Sequence, residues 1–451
     1  MVKYSSSSSR RPVVTADGDG IANHVGTLLL AEVADRTGLT DGFSRALRPG
    51  RQRRSAHDPG VVARDVAVML ADGGDCVSDL AALRGQQALF GKVASNATAW
   101  RVLGQLAPER LAGLRAARAQ AREHVWEVGG APKGTLILDF DSTLVDAHSE
   151  KERAAGTYKG GFGFHPLVCY LDGGSDRGPE PLAGMLRPGS ASPDDAADHL
   201  ALLEEAVAQI PASWRGRERP KLARSDSAAA SHDFVDALRD RGIEFSIGLP
   251  IRSWVRQAIL DMPKSAWIPA LTQDGDEREG AEVCELHTLD LSGWPTGTRA
   301  ICRRERAHPG AQLRLWEDEG LRHQVFITDQ QDADIAVLEV RHRCRAHVED
   351  GIRCAKDTGL TNLPSAAFAF NQVWLDLVLT AQCLTAWMQA LCLRGQARRW
   401  EPKRLRHRLF HTAARVVRTG RRVILRLQQS WPWATDLARA FTRLRTVPQA
   451  P

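Results

Sequence analysis

His342, Arg345, Glu349 and Lys356 are residue types that could handle a phosphodiester, and their spacing of three, four and seven residues predicts a single helical face. At about 100° per residue they fall within roughly 60° of one another. A carboxylate flanked by cations on such a face suits a metal ion held beside a phosphate. A solvated helix surface carries the same kind of stripe, so other acids of the chain must decide between the two.

Two aspartates do so. Asp141 follows the apolar run 135–140, and Asp226 closes the run 221–226 just before a small-residue turn. Each run reads as a buried strand that delivers a carboxylate to its tip. Taken singly, either aspartate is also an ordinary turn former or helix cap. With Glu349 they make three carboxylates on two strand ends and one helix. Two Mg²⁺ ions about 3.5–4 Å apart can activate water, stabilise a leaving oxygen and neutralise charge on phosphorus. Magnesium takes carboxylate oxygen and keeps several waters, so two or three acids on rigid elements suffice. Asp141, Asp226 and Glu349 are therefore the candidate catalytic residues and metal ligands, with Asp141 bridging and Arg345 or Lys356 on the phosphate. Mn²⁺ is expected to substitute.

The elements between these residues set an architecture. Runs 165–172 and 182–187 predict two further antiparallel strands after Asp141. Ser192 and Pro193 predict an N-cap and first-turn proline for a helix running to about residue 210. A helix over about 231–241 ends at Gly242, and 243–249 makes a fifth strand. Three strands, helix, strand, helix, strand, helix is a ribonuclease H-like order, an α/β fold with a mixed sheet. Residues 263–324 change to short strand-like pieces and turns, a β-rich insertion, before 325–328 restores a buried strand. Gly351 is out of place in a helix interior, where it costs about 1 kcal/mol relative to alanine.

These residues carry a family resemblance. The chain resembles a DDE-type bacterial insertion-sequence transposase, with Asp141-Ser-Thr as the first motif and Ala223-Arg-Ser-Asp226-Ser as the second. The third motif of many such enzymes runs Tyr, two residues, Arg, three residues, Glu, six residues, Lys. Arg345, Glu349 and Lys356 fit it, and His342 stands where the tyrosine is expected. The resemblance spans roughly residues 20–395 and is strongest to the family numbered insertion sequence 1380. It implies strand cleavage and transfer at terminal inverted repeats, double-stranded DNA of transposon ends and target as partner, and a homodimer or higher assembly on that DNA. On this reading Asp139→Asn leaves cutting largely intact. The β-rich insertion of some relatives touches the cleaved end, which makes Trp294 and Trp316 candidates for base stacking. Core packing is the other reading of each.

A rival motif overlaps the first. Residues 136–145 also resemble the first motif of haloacid dehalogenase-type phosphatases, with Asp139 as nucleophile and Asp141 as acid/base. Lys264, Asp329 and Asp334 would have to supply the rest of that site. A third reading is a transposase descendant that binds DNA without cutting it.

The 451 residues carry a net charge of +6, unevenly distributed. Residues 394–426 hold many Arg and Lys against the single acid Glu401, and this basic stretch, read as helical, offers Lys403, Arg404, Arg421 and Arg422 to backbone phosphates. Residues 48–54 form a second basic cluster in a loop or arm. Helical segments near 61–70, 77–89 and 97–114 suggest an end-binding region, in which Ser95 starts a helix that presents Arg101 to DNA and buries Trp100. Residues 368–393 are apolar but interrupted by Asn371, Gln372, Asp376, Gln382 and Gln389, as in a buried core helix. Eight scattered cysteines signal neither a zinc site nor a disulfide framework, and no apolar leader opens the chain, so a reducing bacterial cytoplasm is expected. The expected organisation is 1–20 disordered tail, 21–130 helical end-binding domain, 131–262 and 325–393 the two parts of the catalytic domain, 263–324 the β-rich insertion, and 394–451 a basic helical C-terminal region.

Overall fold

The computed structural model describes residues 14–48, 57–106, 108–147, 150–174, 176–306, 320–420 and 422–451. The serine-rich start, most of the basic cluster 48–54, Trp316 and Arg421 lie outside the described residues.

A nine-stranded mixed sheet is the backbone of the molecule. Its strands are β1 (Leu136–Ser142), β2 (Leu167–Leu171), β3 (Glu180–Met185), β4 (Lys221–Ser225), β5 (Glu244–Leu249), β6 (Ile268–Leu271), β7 (Glu277–Glu285), β8 (Arg299–Arg306) and β9 (Leu321–Thr328). Their order across the sheet is β6-β7-β8-β9-β5-β4-β1-β2-β3. Only the pairs β1–β4 and β4–β5 are parallel. All five residues of β2 and of β4 are buried, as expected of strands covered on both faces.

The region expected as an insertion is thus part of this sheet, since β9 pairs antiparallel with β5 and hands the sheet on to β8, β7 and β6. The helix expected from Ser192 is α1 (Ala196–Gln209), capped instead by Asp195, whose carboxylate accepts from the Asp198 amide. Asp195 wins because an ionised acceptor at a helix N-terminus also meets the helix dipole. Helix α2 (His232–Asp240) follows β4, and Gly242, at φ +65°, turns the chain into β5.

The face of β3 is covered by the long helix α5 (Phe368–Cys392), and Gly184 allows the approach, because a Cβ there would stand 2.7 Å from Leu379 Cδ1. Among the described residues this is the one helix long and apolar enough to cross a membrane, and its most apolar stretch is 89% buried in the protein. Its polar residues have partners. Asp376 accepts two hydrogen bonds from Arg115 at 2.9 Å each, and Gln389 donates to the carbonyls of Ala397 and Trp400. Helices of the N-terminal part, among them Pro59–Asp72 and Pro108–Val125, pack on its other side.

The C-terminal region is not simply helical. Short helical segments over Gly395–Arg399 and Pro402–Phe410 lead into the antiparallel ribbon β10 (Ala414–Thr419) and β11 (Arg422–Leu427), extended by Ile21–Ala22, and the helix Ala434–Thr446 follows. The β-branched Val416, Val417, Val423 and Ile424 favour a strand over a helix.

Candidate active site

Constant register brings the two aspartates together. β1 and β4 run parallel with Leu136 opposite Lys221 and Phe140 opposite Ser225. The next rung sets Asp141 beside Asp226, and residues paired this way point to the same face. Both are half-buried. One Asp141 carboxylate oxygen accepts from the Ser142 amide at 2.7 Å, and Asp226 accepts from the Ala228 amide at 3.0 Å as it caps a short turn.

Glu349 reaches this face from a helix, but not from the continuous one expected. Helix α3 (Ile335–Arg343) stops, a tight turn spans Cys344–Ala346, and α4 (His347–Ala355) starts afresh with Glu349 exposed in its first turn. That turn lies between His342 and Glu349 and contains Arg345. Burial, followed by the charge of Asp226, pushes the Asp141 carboxyl up to about 6. Glu349 adds to the rise, while the Ser142 amide and the Arg345 guanidinium oppose it. Asp141, Asp226, Arg345 and Glu349 therefore share one electrostatic neighbourhood. The three carboxylates do not all close to within 4.8 Å of one another; the described clusters that do are His24–Asp72–His411 and Asp75–Cys76–Asp79.

Helix α4 is seated on the sheet through Gly351. The Tyr170 ring of β2 lies where a side chain would start, 2.9 Å from an added Cβ, and the Tyr170 hydroxyl donates to the Gln382 side chain at 2.8 Å and reaches the Gly351 carbonyl at 3.2 Å.

Below the carboxylate rung lies a buried ion network. Arg224, opposite Asp139, donates from Nε and Nη2 to the two Asp139 oxygens at 2.7 Å each. Nη2 also donates to Asp172 at 2.6 Å, and Nη1 to the Arg341 carbonyl in α3 at 2.7 Å. Asp172 in turn lies 3.3 Å from His347 Nδ1, at the start of α4. Burial would raise the Asp172 carboxyl, but the His347 hydrogen bond and the Arg224 charge hold it down at about 2. A bidentate guanidinium and saturated lone pairs are what a buried carboxylate requires. Sequence reasoning missed Arg224, Asp172 and His347; an aspartate at 139, inside an apolar run, was the available signal that a buried cation must face it.

The other expected site residues fall as follows. His342 is a packing residue: its ring lies flat on Phe326 at 4.3 Å, Nδ1 meets the Ser246 hydroxyl at 2.9 Å, and burial, with the charges of Arg345 and Arg224, pushes it down to about 3, so it stays neutral. Lys356 is half-buried and is lowered chiefly by burial, with Asp146 and Lys159 of a small neighbouring sheet as its charged company. Lys403 pairs with Asp357 at 3.0 Å, while Arg101, Arg404 and Arg422 are exposed. Ser95 does cap its helix, and Trp100 is 38% exposed, stacked on Phe370. Trp294 is half-buried with its ring against His232 at 4.3 Å. The phosphatase reading loses its nucleophile, because Asp139 is 1% exposed with both oxygens held. Its other members are elsewhere: Lys264 is exposed, Asp329 accepts from the Phe245 amide and Asp334 caps α3.

No curated protein matches the chain. Among solved structures it is similar to a piggyBac transposase in a synaptic complex with hairpin DNA, at 10% identity and a TM-score of 0.42, over 85% of this chain and 79% of that one. The family description "Transposase DDE domain group 1" matches residues 5–449. The chain belongs to that family of transposase DDE domains.

Proposed function

We propose that this DDE transposase cuts double-stranded DNA at the terminal inverted repeats of a mobile element and joins the freed ends to a target, with Asp141, Asp226 and Glu349 as its catalytic carboxylates. The observation that carries the reading is that Asp141 and Asp226, each just past the last in-register pair of β1 and β4, share a neighbourhood with Glu349 in which burial first and then Asp226 push Asp141 up to about 6. Carboxylates held together at that cost are a site for divalent cations. Two Mg²⁺ ions, or Mn²⁺ in their place, would activate the attacking oxygen and stabilise the leaving one.

The chain's own residues do the rest. Asp141 has one oxygen free of the Ser142 amide, and with Asp226 and Glu349 it would hold the ions, while Arg345 beside them offers a cation to the scissile phosphate. The ribonuclease H-like core formed by β1–β5 is a rigid mount for these groups. Lys356, Arg101, Lys403, Arg404 and Arg422 are assigned to the DNA backbone, and the assembly on paired ends is a dimer or larger. The element is placed with the insertion sequence 1380 type, in a bacterial cytoplasm at the nucleoid.

The test is Mg²⁺-dependent cleavage of labelled duplex carrying the ends that flank the gene. Asp141→Asn, Asp226→Asn and Glu349→Gln are each expected to lose at least about 10³-fold in cutting while still binding the duplex. A wild-type protein that binds those ends and never cuts them would leave the chain a DNA-binding descendant.

A further inference from the structure

Positive charge collects on the C-terminal ribbon. Residues 414–427 contain Arg415, Arg418, Arg421, Arg422 and Arg426 and no acid. In an antiparallel pair alternate residues face opposite ways and directly opposed residues share a face. The register sets Arg415 against Arg426, Val417 against Ile424 and Thr419 against Arg422. The other face is the buried one: Ala414, Val416, Leu425 and Leu427 pack with Ala22, Val25, Leu89 and Phe441. Arg415, Arg422 and Arg426 are thereby turned outward, all three exposed, with Ile424 38% exposed between them. None of the three makes an ion pair among the described residues, unlike Arg353 or Lys403, which are paired with Glu401 and Asp357.

We propose that this face of the ribbon docks into a groove of duplex DNA and holds the element's end while the carboxylates cut. The inference rests on the DNA-transposase reading and adds the surface that grips the duplex. Charge complementarity selects the occupant, because three unpaired arginines on a ribbon that itself carries no acid match a phosphate-lined groove, and a second copy of the same face would set arginine against arginine. Shape agrees. The major groove, about 12 Å wide, admits a two-stranded ribbon, and a six-residue strand spans roughly 20 Å, about six base pairs. Arg415 and Arg426, side by side across the strands, reach phosphates or guanine edges together, while Val417 and Ile424 between them offer an apolar surface of the kind thymine methyl groups accept.

The experiment is fluorescence anisotropy of a labelled duplex carrying the element's end, titrated over a range of salt, with the full chain. Arg415→Ala/Arg422→Ala/Arg426→Ala is expected to bind at least about tenfold more weakly near physiological salt, with a salt slope smaller by about 2–3, roughly one unit for each phosphate that no longer meets a cation. The triple lysine variant should keep the slope. Arg422→Glu alone, near the ribbon tip, keeps the comparison open if the triple alanine variant unfolds. Wild-type affinity and slope in both Arg422→Glu and the triple variant would overturn the proposal, as would a change of oligomeric state with DNA binding intact. A wild-type chain that binds no duplex sinks the transposase reading itself, whereas one that binds and cuts like its triple variant sinks only the ribbon.

Discussion

Arg224 grips Asp139 two rungs below Asp141 and Asp226, each lying two residues before one of these aspartates on adjacent parallel strands. The same guanidinium reaches Asp172 and the Arg341 carbonyl, and through Asp172 it touches His347, two residues before Glu349. One buried cation thus ties together β1, β4, the end of β2, α3 and α4, which are the elements that carry or precede all three carboxylates. Glu349 comes from a helix some two hundred residues away in the chain, and this network is what fixes its distance from the strand tips.

Arg224→Met should therefore cost about 3–5 kcal/mol in urea denaturation, because it strands two buried carboxylates. Asp139→Asn should cost less, since Asp172 still faces the guanidinium, yet it should not cut like wild type, as the motif resemblance alone suggested. A shift of Glu349 by about 1 Å is enough for a 10²-fold loss. The readout that separates positioning from bulk stability is the Mg²⁺ concentration for half-maximal nicking, measured well below each variant's melting point. An unchanged Mg²⁺ requirement in a folded Asp139→Asn protein would show that the network does not set the ligand geometry.

Crowding of the acids predicts a trade of stability for activity. The Asp141 carboxyl is raised from its ordinary 3.8 to about 6, first by burial and then by Asp226. A raised acid destabilises the fold above its folded pKa and ceases to do so as pH falls below it. Asp141→Asn should accordingly be more stable than wild type at pH 7 without metal, by on the order of 2 kcal/mol, and should abolish cutting. Added Mg²⁺ should raise the wild-type melting temperature and leave that of Asp141→Asn nearly unchanged. Equal melting temperatures in the absence of metal would mean that the carboxylates are not under strain.

A second charge cluster joins the ends of the chain. His24 Nδ1 lies 2.7 Å from Asp72, at the end of the helix Pro59–Asp72, and His411 Nε2 lies 3.3 Å from the same carboxylate, which also accepts from the Thr27 hydroxyl at 2.5 Å. Burial works against the Asp72 anion, yet the His24, His411 and Thr27 hydrogen bonds hold it at about 2; His411 is raised above its ordinary 6.5, first by its hydrogen bond to Asp72. The depressed acid contributes stability above pH 3.8 that is lost as pH falls toward 2, and the raised histidine contributes stability below pH 6.5 that is lost as pH rises through its folded value. Stability from this clasp should be flat between about pH 4 and 6.5 and decline on both sides. Asp72→Asn should flatten both limbs of the melting-temperature profile; a profile unchanged in shape would show that other groups set it.

The parts of the site that were legible in the sequence were local. Apolar runs ending in Asp141 and Asp226 read directly as strands with carboxylates at their tips, because burial and a turn write themselves into neighbouring residues. The break between α3 and α4 was not legible, since no proline or glycine marks residues 344–346 and the Arg224 hydrogen bond to the Arg341 carbonyl comes from a distant strand. The pairing of β9 with β5 was hidden for the same reason, as a partner strand leaves no trace in its own sequence. The ribbon was legible in the β-branched Val416, Val417, Val423 and Ile424, which favour a strand over the helix that the basic composition suggested.

Gly351 shows how a locally unfavourable residue serves a distant one. Alanine there would gain about 1 kcal/mol of helix propensity, and overpacking against the Tyr170 ring costs about 1–3 kcal/mol. The second term wins because the nearest atoms belong to a buried ring on a central strand, not to the flexible end of a side chain. Gly351→Ala should therefore lift α4 from β2 and carry Glu349, two residues away, off its position, lowering cutting by about tenfold or more with DNA binding intact. Tyr170→Leu removes the obstructing ring. In a double-mutant cycle on nicking rate, Gly351→Ala/Tyr170→Leu should recover part of the loss relative to the sum of the single variants. A Gly351→Ala protein that melts higher and cuts at the wild-type rate would show that the close approach of α4 to Tyr170 does not govern where Glu349 stands.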